Sequence, residues 1–277
     1  MQVQGKTALI TGASRGIGRA IALELAQQGA ACLLLVSRNI ERLKEVALEA
    51  QQLNPEVQVI PLAVDLSQAE AVSATISQAW QDYGPIDLLV NNAGVAHQTS
   101  FLSSTPRQAQ EELNVNLLGM YAITRVIARR MAAKRDGVIV NVSSLMGKLA
   151  APTFATYSAT KFAILGFTQA LRVELAPYNV RVVALLPSLT ETDMVRDTQK
   201  FRWVWPTTPE TVAKVLVAQL PKGTLEIFVG WQSKVTALLN RFLPWLMEKI
   251  VLLSAPLSEV ERVDAGLTFC AAGNQAN

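Results

Sequence analysis

Tyr157-Ser158-Ala159-Thr160-Lys161 places a phenol and an ammonium four residues apart. In a helix that spacing puts both on one face. An adjacent cation favours phenolate and draws a tyrosine pKa from ~10 towards the range of a working general acid or base. Tyr and Lys at this spacing also occur by chance on surfaces and in cores, so the pair acquires meaning only from what surrounds it. Ser143-Ser144 closes an apolar run thirteen residues before Tyr157, and Asn91-Asn92-Ala93-Gly94 closes another.

A second candidate site is the turn Thr11-Gly12-Ala13-Ser14-Arg15-Gly16-Ile17-Gly18, which comes after the first apolar run and precedes a segment with Ile21 and Leu25 on one face. Glycines permit a tight turn and let the backbone approach a pyrophosphate, whose charge then meets the partly positive end of a helix. The spacing is GxxxGxG rather than GxGxxG, and a plain strand-to-helix turn is the alternative reading. The second apolar run ends in Ser37-Arg38. Dinucleotide-binding domains that take NAD commonly carry an acidic residue there for the ribose 2′-OH. A guanidinium suits a 2′-phosphate instead, with Arg15 as a second cation, so NADP(H) is favoured over NAD(H). The competing reading makes Arg38 an ordinary solvated residue at a helix start.

These residues need elements to hold them. Short runs rich in Val, Ile and Leu at 6–11, 31–37, 57–64, 86–91, 137–143, 180–187 and 225–229 predict seven strands. Their continuous hydrophobicity marks strands buried on both faces, as parallel sheets require. Helical segments at about 16–29, 39–53, 68–83, 106–134, 155–176 and 209–220 alternate with them. The pattern predicts a doubly wound, Rossmann-type α/β fold: one seven-stranded parallel sheet with helices on both faces, binding ligands beyond the carboxyl ends of its strands. Residues 1–230 form the expected dinucleotide-binding and catalytic domain, and 231–277 a helical C-terminal extension packed on that domain or on a partner subunit. In the extension Lys234, Arg241 and Glu248 recur every seven residues, with Leu238, Leu239, Phe242, Leu243, Trp245, Leu246, Ile250 and Leu253 around the rest of the circumference. Pro244 is expected to kink or restart that helix. Such an apolar surface needs burial, as a pocket cover, as a subunit interface, or as a peripheral membrane contact through 234–253.

Composition narrows the functional classes. The chain has 277 residues, half of them apolar, with 25 Lys+Arg against 22 Asp+Glu and a formal net charge of +3. That balance argues against a disordered tail and against a nucleic-acid partner. One His and two Cys exclude a disulfide framework and suggest no metal site. Cys32 reads as core and Cys270 as tail. The N-terminus lacks a signal-peptide core, and no apolar run reaches ~18 residues, so a cytoplasmic protein, soluble or peripheral to a membrane, is expected.

Taken together, these motifs resemble those of the short-chain dehydrogenase/reductase family from 6 to 194, and more loosely to 229. The glycine motif matches Thr11 to Gly18. The family's adenine-binding Asp matches Asp65, with Leu66 next to it, and its NNAG matches Asn91 to Gly94. Its helix Asn matches Asn116, its Ser matches Ser144, and its YxxxK matches Tyr157 and Lys161. The motifs are most similar to those of 3-oxoacyl-carrier-protein reductase-like members. The resemblance implies a catalytic set of Asn116, Ser144, Tyr157 and Lys161. Tyr157 would protonate a carbonyl oxygen as the nicotinamide delivers hydride. Ser144 would donate to the developing alkoxide, Lys161 would lower the Tyr157 pKa and hold the nicotinamide ribose, and Asn116 would anchor a water that resupplies protons. Asn114 and Ser143 are weaker candidates for the Asn and Ser roles.

The implied cofactor contacts are Gly12, Ser14, Arg15, Gly16, Ile17, Gly18, Ser37, Arg38, Asp65, Leu66, Asn92, Ala93, Gly94, Tyr157, Lys161, Pro187, Thr190 and Thr192. The family's PG-initiated segment reads Pro187-Ser188 here, and a position needing positive φ would strain Ser188. Aromatics at Phe201, Trp203 and Trp205 suit a small hydrophobic carbonyl substrate, such as a long-chain ketone, a steroid or an acyl derivative; packing on the domain body is the other reading. His97 either borders the cleft or does nothing unusual. The expected protein is an NADPH-dependent reductase, a homodimer or homotetramer. Its rivals are an alcohol dehydrogenase running towards NADP reduction and a non-catalytic dinucleotide-binding regulator.

Overall fold

The computed structural model describes residues 1–196 and 198–256; Cys270 and the rest of the extension lie outside the described residues. Seven strands form one sheet: β1 (Thr7–Thr11), β2 (Cys32–Ser37), β3 (Gln58–Ala63), β4 (Leu88–Asn91), β5 (Gly137–Val142), β6 (Val180–Leu186) and β7 (Glu226–Phe228). Their order is β3-β2-β1-β4-β5-β6-β7 and every pairing is parallel. The order reverses between β1 and β4, which opens a crevice at their carboxyl ends.

Side-chain alternation divides the strand residues between two cores. Ile10, Leu33, Leu35 and Val90 pack on one face, against Ile21, Leu25 and Leu43 of α1 (Gly16–Gln27) and α2 (Ile40–Leu53). Leu9, Leu34, Val36, Leu89 and Ile139 pack on the other, where Val72 and Ile76 come from α3 (Ala69–Tyr83). Both faces are covered over the central strands, so continuous Val/Ile/Leu runs are stable there without the alternation a half-exposed sheet would show. Cys32 is buried among them, and burial pushes its thiol pKa up.

The expected helix over 106–134 is interrupted. It comprises α4 (Pro106–Leu113), a π-helical segment at Asn114–Gly119 and α5 (Met120–Lys134). The extra residue of a π turn rotates α5 relative to α4, and such turns concentrate at functional sites. Gly119 permits this one: a Cβ there would collide with the Leu66 carbonyl. Next come α6 (Ala155–Leu175), the short α7 (Asp193–Arg196), unexpected from the sequence, and α8 (Pro209–Gln219), which packs on α1.

Beyond β7 the chain forms α9 (Trp231–Phe242) and α10 (Pro244–Ser254). Pro244 occupies the first turn of α10, where its missing N–H costs nothing, so it restarts the helix instead of bending it. Both helices are tied to the body. Ser233 Oγ donates to the Val229 carbonyl at 2.8 Å, Asn240 Nδ2 to the Lys148 carbonyl at 2.8 Å, and the Arg202 N–H to the Ser254 carbonyl at 2.9 Å.

Candidate active site

The glycine turn sits at the carboxyl end of β1, beside the crevice. Gly12 has φ +65°, and a Cβ on it would lie 2.9 Å from Ala93 Cα and from Asn92 Nδ2. Gly18 is packed so closely that a Cβ would strike the Gly12 carbonyl. The GxxxGxG spacing therefore serves two tight approaches, one to the NNAG segment and one within the turn itself. Thr11 Oγ1 accepts from the N–H groups of Asn92 (2.9 Å) and Ala93 (3.0 Å), which locks the two loops together. Asn92 donates its amide to the Thr11 carbonyl at 3.0 Å, so this side chain braces the turn and presents only its remaining atoms to the crevice. Arg15 precedes α1 without capping it by a side-chain bond, and the first-turn N–H groups at Gly16 and Ile17 border the crevice. Uncapped helix N–H groups in a tight glycine turn fit the diphosphate of a dinucleotide.

The same cavity is lined by Ser37 and Arg38 from the end of β2, Arg15 from the turn, and Arg42 from the first turn of α2. Arg42 escaped the sequence reading. It lies four residues after Arg38 across the helix cap Asn39, a spacing that could have marked it. Asp193 lies among the cations, 3.5 Å from Arg15, 4.0 Å from Arg42 and 2.7 Å from Arg196. Asp65 Oδ1 accepts from the Ser67 N–H and hydroxyl at 3.0 and 2.9 Å, which fixes the loop that carries Asp65 and Leu66 along the same wall.

Tyr157, Lys161 and Ser144 meet at the centre of the crevice. Lys161 is buried, its Nζ donates to the Val142 carbonyl at 3.1 Å, and it lies 5.4 Å from the centre of the Tyr157 ring. Burial dominates both groups: it pushes the Tyr157 pKa up to about 12, against a hydrogen bond from Ser144 that lowers it, and brings Lys161 down to about 8. The expected lowering of the tyrosine pKa by Lys161 is not found: burial dominates the Tyr157 shift, and the Ser144 hydrogen bond is what opposes it.

The neighbouring candidates separate cleanly. Ser143 is buried and donates to the Lys161 carbonyl at 2.8 Å, so it holds the helix, while Ser144 faces the phenol. Asn114 is bonded to Gln110 at 2.7 Å on the outside. Asn116 is buried on the π segment, accepting from the Val95 N–H at 2.8 Å and donating to the Val95 carbonyl (2.9 Å) and Thr160 Oγ1 (3.1 Å). Both amide protons are thus spent, one on the loop after Gly94 and one on Thr160 of α6. A Cβ on Gly94 would stand 3.2 Å from Asn116 Oδ1 and 3.7 Å from Lys161 Nζ, so glycine keeps the gap between them open.

Across the crevice, Pro187, Thr190 and Thr192 line the wall facing the glycine turn, and Thr192 Cγ2 lies 3.1 Å from where a Gly16 Cβ would be. The segment is anchored by the Thr207 N–H on the Leu189 carbonyl at 2.8 Å and the Glu191 N–H on the Thr207 carbonyl at 2.9 Å. Ser188 does not adopt positive φ, so serine replaces glycine there without strain. His97 is turned towards α4: its ring is 3.2 Å from Glu111, and its N–H donates to Glu112 Oε1 at 2.6 Å. Glu112 is 2% exposed, burial raises its pKa, and its charge raises that of Tyr157. A glutamate flanked by Glu111 on a polar helix reads as solvated, which is why the sequence concealed it.

The cavity, about 600 Å³, continues past Tyr157 between apolar walls. Phe154 stacks edge-on against Tyr157 at 6.0 Å and lies 6.3 Å from Phe201. Met146, Leu149, Trp203 and Val204 extend this wall, and Met247, Ile250 and Val251 of α10 complete it. The C-terminal extension therefore contributes side chains to the same cavity as the glycine turn.

A parallel sheet with this strand order, a glycine turn at its switch point and a Ser-Tyr-Lys cluster beside it define a dinucleotide-dependent oxidoreductase class. The family model for short chain dehydrogenase matches residues 6–203, and the chain belongs to that family. Among curated relatives, a 3alpha-hydroxysteroid dehydrogenase of Mediterraneibacter gnavus is 34% identical over 80% of this chain and 85% of its own. A 3-oxoacyl-[acyl-carrier-protein] reductase of Aquifex aeolicus is 38% identical over 70% and 77%. A short chain dehydrogenase from Burkholderia cenocepacia, solved in complex with NADP, superposes with a TM-score of 0.79 at 29% identity, covering 91% of this chain and 99% of that one.

Proposed function

We propose that the protein is an NADPH-dependent reductase of a hydrophobic ketone or 3-oxoacyl-type compound, with Tyr157 as general acid. One observation carries this reading: a single cavity joins the arginine-ringed glycine turn to Tyr157 and Ser144, and runs on between aromatic and aliphatic walls. The NADP held by the Burkholderia relative and the 3-oxoacyl substrate named for the Aquifex relative agree with it. In this reading residues 1–230 are the catalytic domain, and α9 and α10 of the extension cover its substrate end.

A bound nicotinamide dinucleotide supplies the hydride. Tyr157 gives a proton to the carbonyl oxygen, and the phenol, its pKa raised by burial, is protonated at neutral pH. Ser144 donates a hydrogen bond to the same oxygen as charge develops on it. Lys161 orients the nicotinamide ribose hydroxyls. Asn116 has no amide proton left for a water, so its part is to hold the Val95 loop, and any water it anchors bonds to an oxygen of this residue. Exposed Leu118, Tyr121, Phe162 and Val173 on α5, α6 and the π segment supply the apolar surface that a homodimer or homotetramer would cover.

Titration with NADPH and NADH, monitored by nicotinamide fluorescence, tests the cofactor. Arg38→Asp and Arg42→Asp are each expected to weaken NADPH binding about 10- to 100-fold, the worth of a charge-assisted hydrogen bond, with little change for NADH. Equal affinity for the two cofactors in the wild type would overturn the NADPH assignment.

Glu112→Gln removes a negative charge that disfavours phenolate. The Tyr157 pKa is then expected to fall, moving the alkaline limb of the reduction profile to lower pH. An unmoved profile would show that the Glu112 charge does not reach the phenol.

A further inference from the structure

The apolar circumference of the C-terminal extension is divided between two destinations. On α10, Met247 and Val251 turn inward to the cavity, and Ile250, also on its wall, is 38% exposed. On α9, Trp231, Val235, Leu238 and Phe242 are exposed among the described residues, at 71, 44, 58 and 69%. They keep the i, i+4, i+7, i+11 spacing of one helical stripe. This stripe is not the face by which α9 packs on the body: that face carries Ser233, fully buried, and Asn240, bonded to the Lys148 carbonyl. Trp245 and Leu253 extend the exposed apolar surface along α10.

The charges around the stripe are one-sided. Between 231 and 254 the chain carries Lys234, Arg241 and Lys249 against a single Glu248. Arg241 stands 5.9 Å from the Phe242 ring centre and Lys249 5.6 Å from that of Trp245. Each cation thus lies along an exposed aromatic ring, which lets the ring enter an apolar layer while the charge stays at its boundary. Two copies apposed through this face would bring six cations against two carboxylates. An anionic lipid surface meets both features: the acyl region takes the rings and the phosphates take the cations.

Resting on the reductase reading, we propose that the outer face of α9 and α10 docks on an anionic phospholipid surface, so that an apolar substrate passes from the lipid layer into the cavity whose wall the inner face of α10 forms. The segment Phe201–Val204, also lining that cavity, is joined to the end of α10 through Arg202 and Ser254, and it carries Trp203, 65% exposed, at the rim. The route from the docked face to Tyr157 is therefore bounded by one continuous set of residues.

The test is flotation of the full chain with vesicles of phosphatidylglycerol and phosphatidylcholine, and with phosphatidylcholine alone. The wild type is expected to float with the anionic vesicles and to dissociate as salt rises. Lys234→Glu/Arg241→Glu should weaken that binding by roughly twenty-five-fold or more, at about a factor of five per lost cation before repulsion is added. Leu238→Glu/Phe242→Glu should abolish it. Neither pair lines the cavity, so both variants should keep NADPH binding and turnover of a short water-soluble ketone, while losing rate on a long-chain ketone presented in vesicles. Failure of the wild type to float would overturn the proposal. So would a Leu238→Glu/Phe242→Glu protein whose sedimenting mass halves, which would assign the face to a second copy. Normal flotation with no turnover of any ketone would sink the reductase reading and leave the docking surface standing.

Discussion

Replacing Tyr157 by Phe is expected to lower turnover by about 10²- to 10⁴-fold, the usual contribution of a positioned general acid, while cofactor binding is retained. The substitution is conservative where it must be. The ring keeps its edge-on contact with Phe154 at 6.0 Å and its place beside Lys161, so the shape of the cavity survives and only the hydroxyl leaves. The loss should fall on kcat more than on KM, because the proton is transferred in the transition state and not on binding. Ser144→Ala should cost less, since it removes one hydrogen bond to the developing oxyanion and leaves the proton donor in place. Single-turnover measurement of NADPH oxidation with excess enzyme separates chemistry from product release. A Tyr157→Phe rate close to wild type would remove this phenol from the reaction.

Legibility in the sequence differs between fold and site. The central strands are readable because they are buried on both faces, so their sequences are apolar almost throughout, and the partly exposed edge strands β3 and β7 keep enough apolar residues to be seen; the ends of β4 and β7 shift by a residue or two where the hydrogen-bonded ladder stops short of the apolar run. The glycine turn and the Tyr157–Lys161 pair are readable because local geometry fixes their residue types. The π segment is not, since its residues suit an ordinary helix and only the approach of Gly119 to Leu66 explains the extra turn. Arg42 and Glu112 are hidden for a related reason: on an isolated helix each is a charge facing solvent, and only the packing of α2 and α4 brings one to the cavity beside the glycine turn and buries the other. The extension shows its amphipathic character but not its allocation. A periodic pattern reports which residues share a face and says nothing about which of two apolar surfaces meets the body.

Lys161→Met is expected to separate stability from function most sharply. Lys161 is 3% exposed, and its pKa of about 8 against an ordinary 10.5 means that holding it charged in the fold costs about 3 kcal/mol, reduced in the comparison by the loss of its bond to the Val142 carbonyl. Met fills similar volume without a charge. At pH 7, where both folded and unfolded wild type carry the ammonium, the variant should unfold at a temperature no lower than wild type. Between pH 8 and 10.5 the folded protein holds fewer protons at this site than the unfolded chain, so the wild type gains stability as pH rises and the difference should close. Tyr157 acts in the opposite sense only above pH 10, where the unfolded tyrosine ionises and the folded one does not, so melting series at pH 7 to about 9.5 isolate the lysine. Activity should fall by two orders of magnitude or more, on the order of a lost catalytic group, because in the proposed reaction Lys161 orients the nicotinamide ribose. A wild type more stable than Lys161→Met at pH 7, with a gap independent of pH, would show that the ammonium is better solvated than its burial implies. The expected result instead identifies a charge kept in the core against the interest of the fold, which is how a site held for chemistry differs from one held for packing.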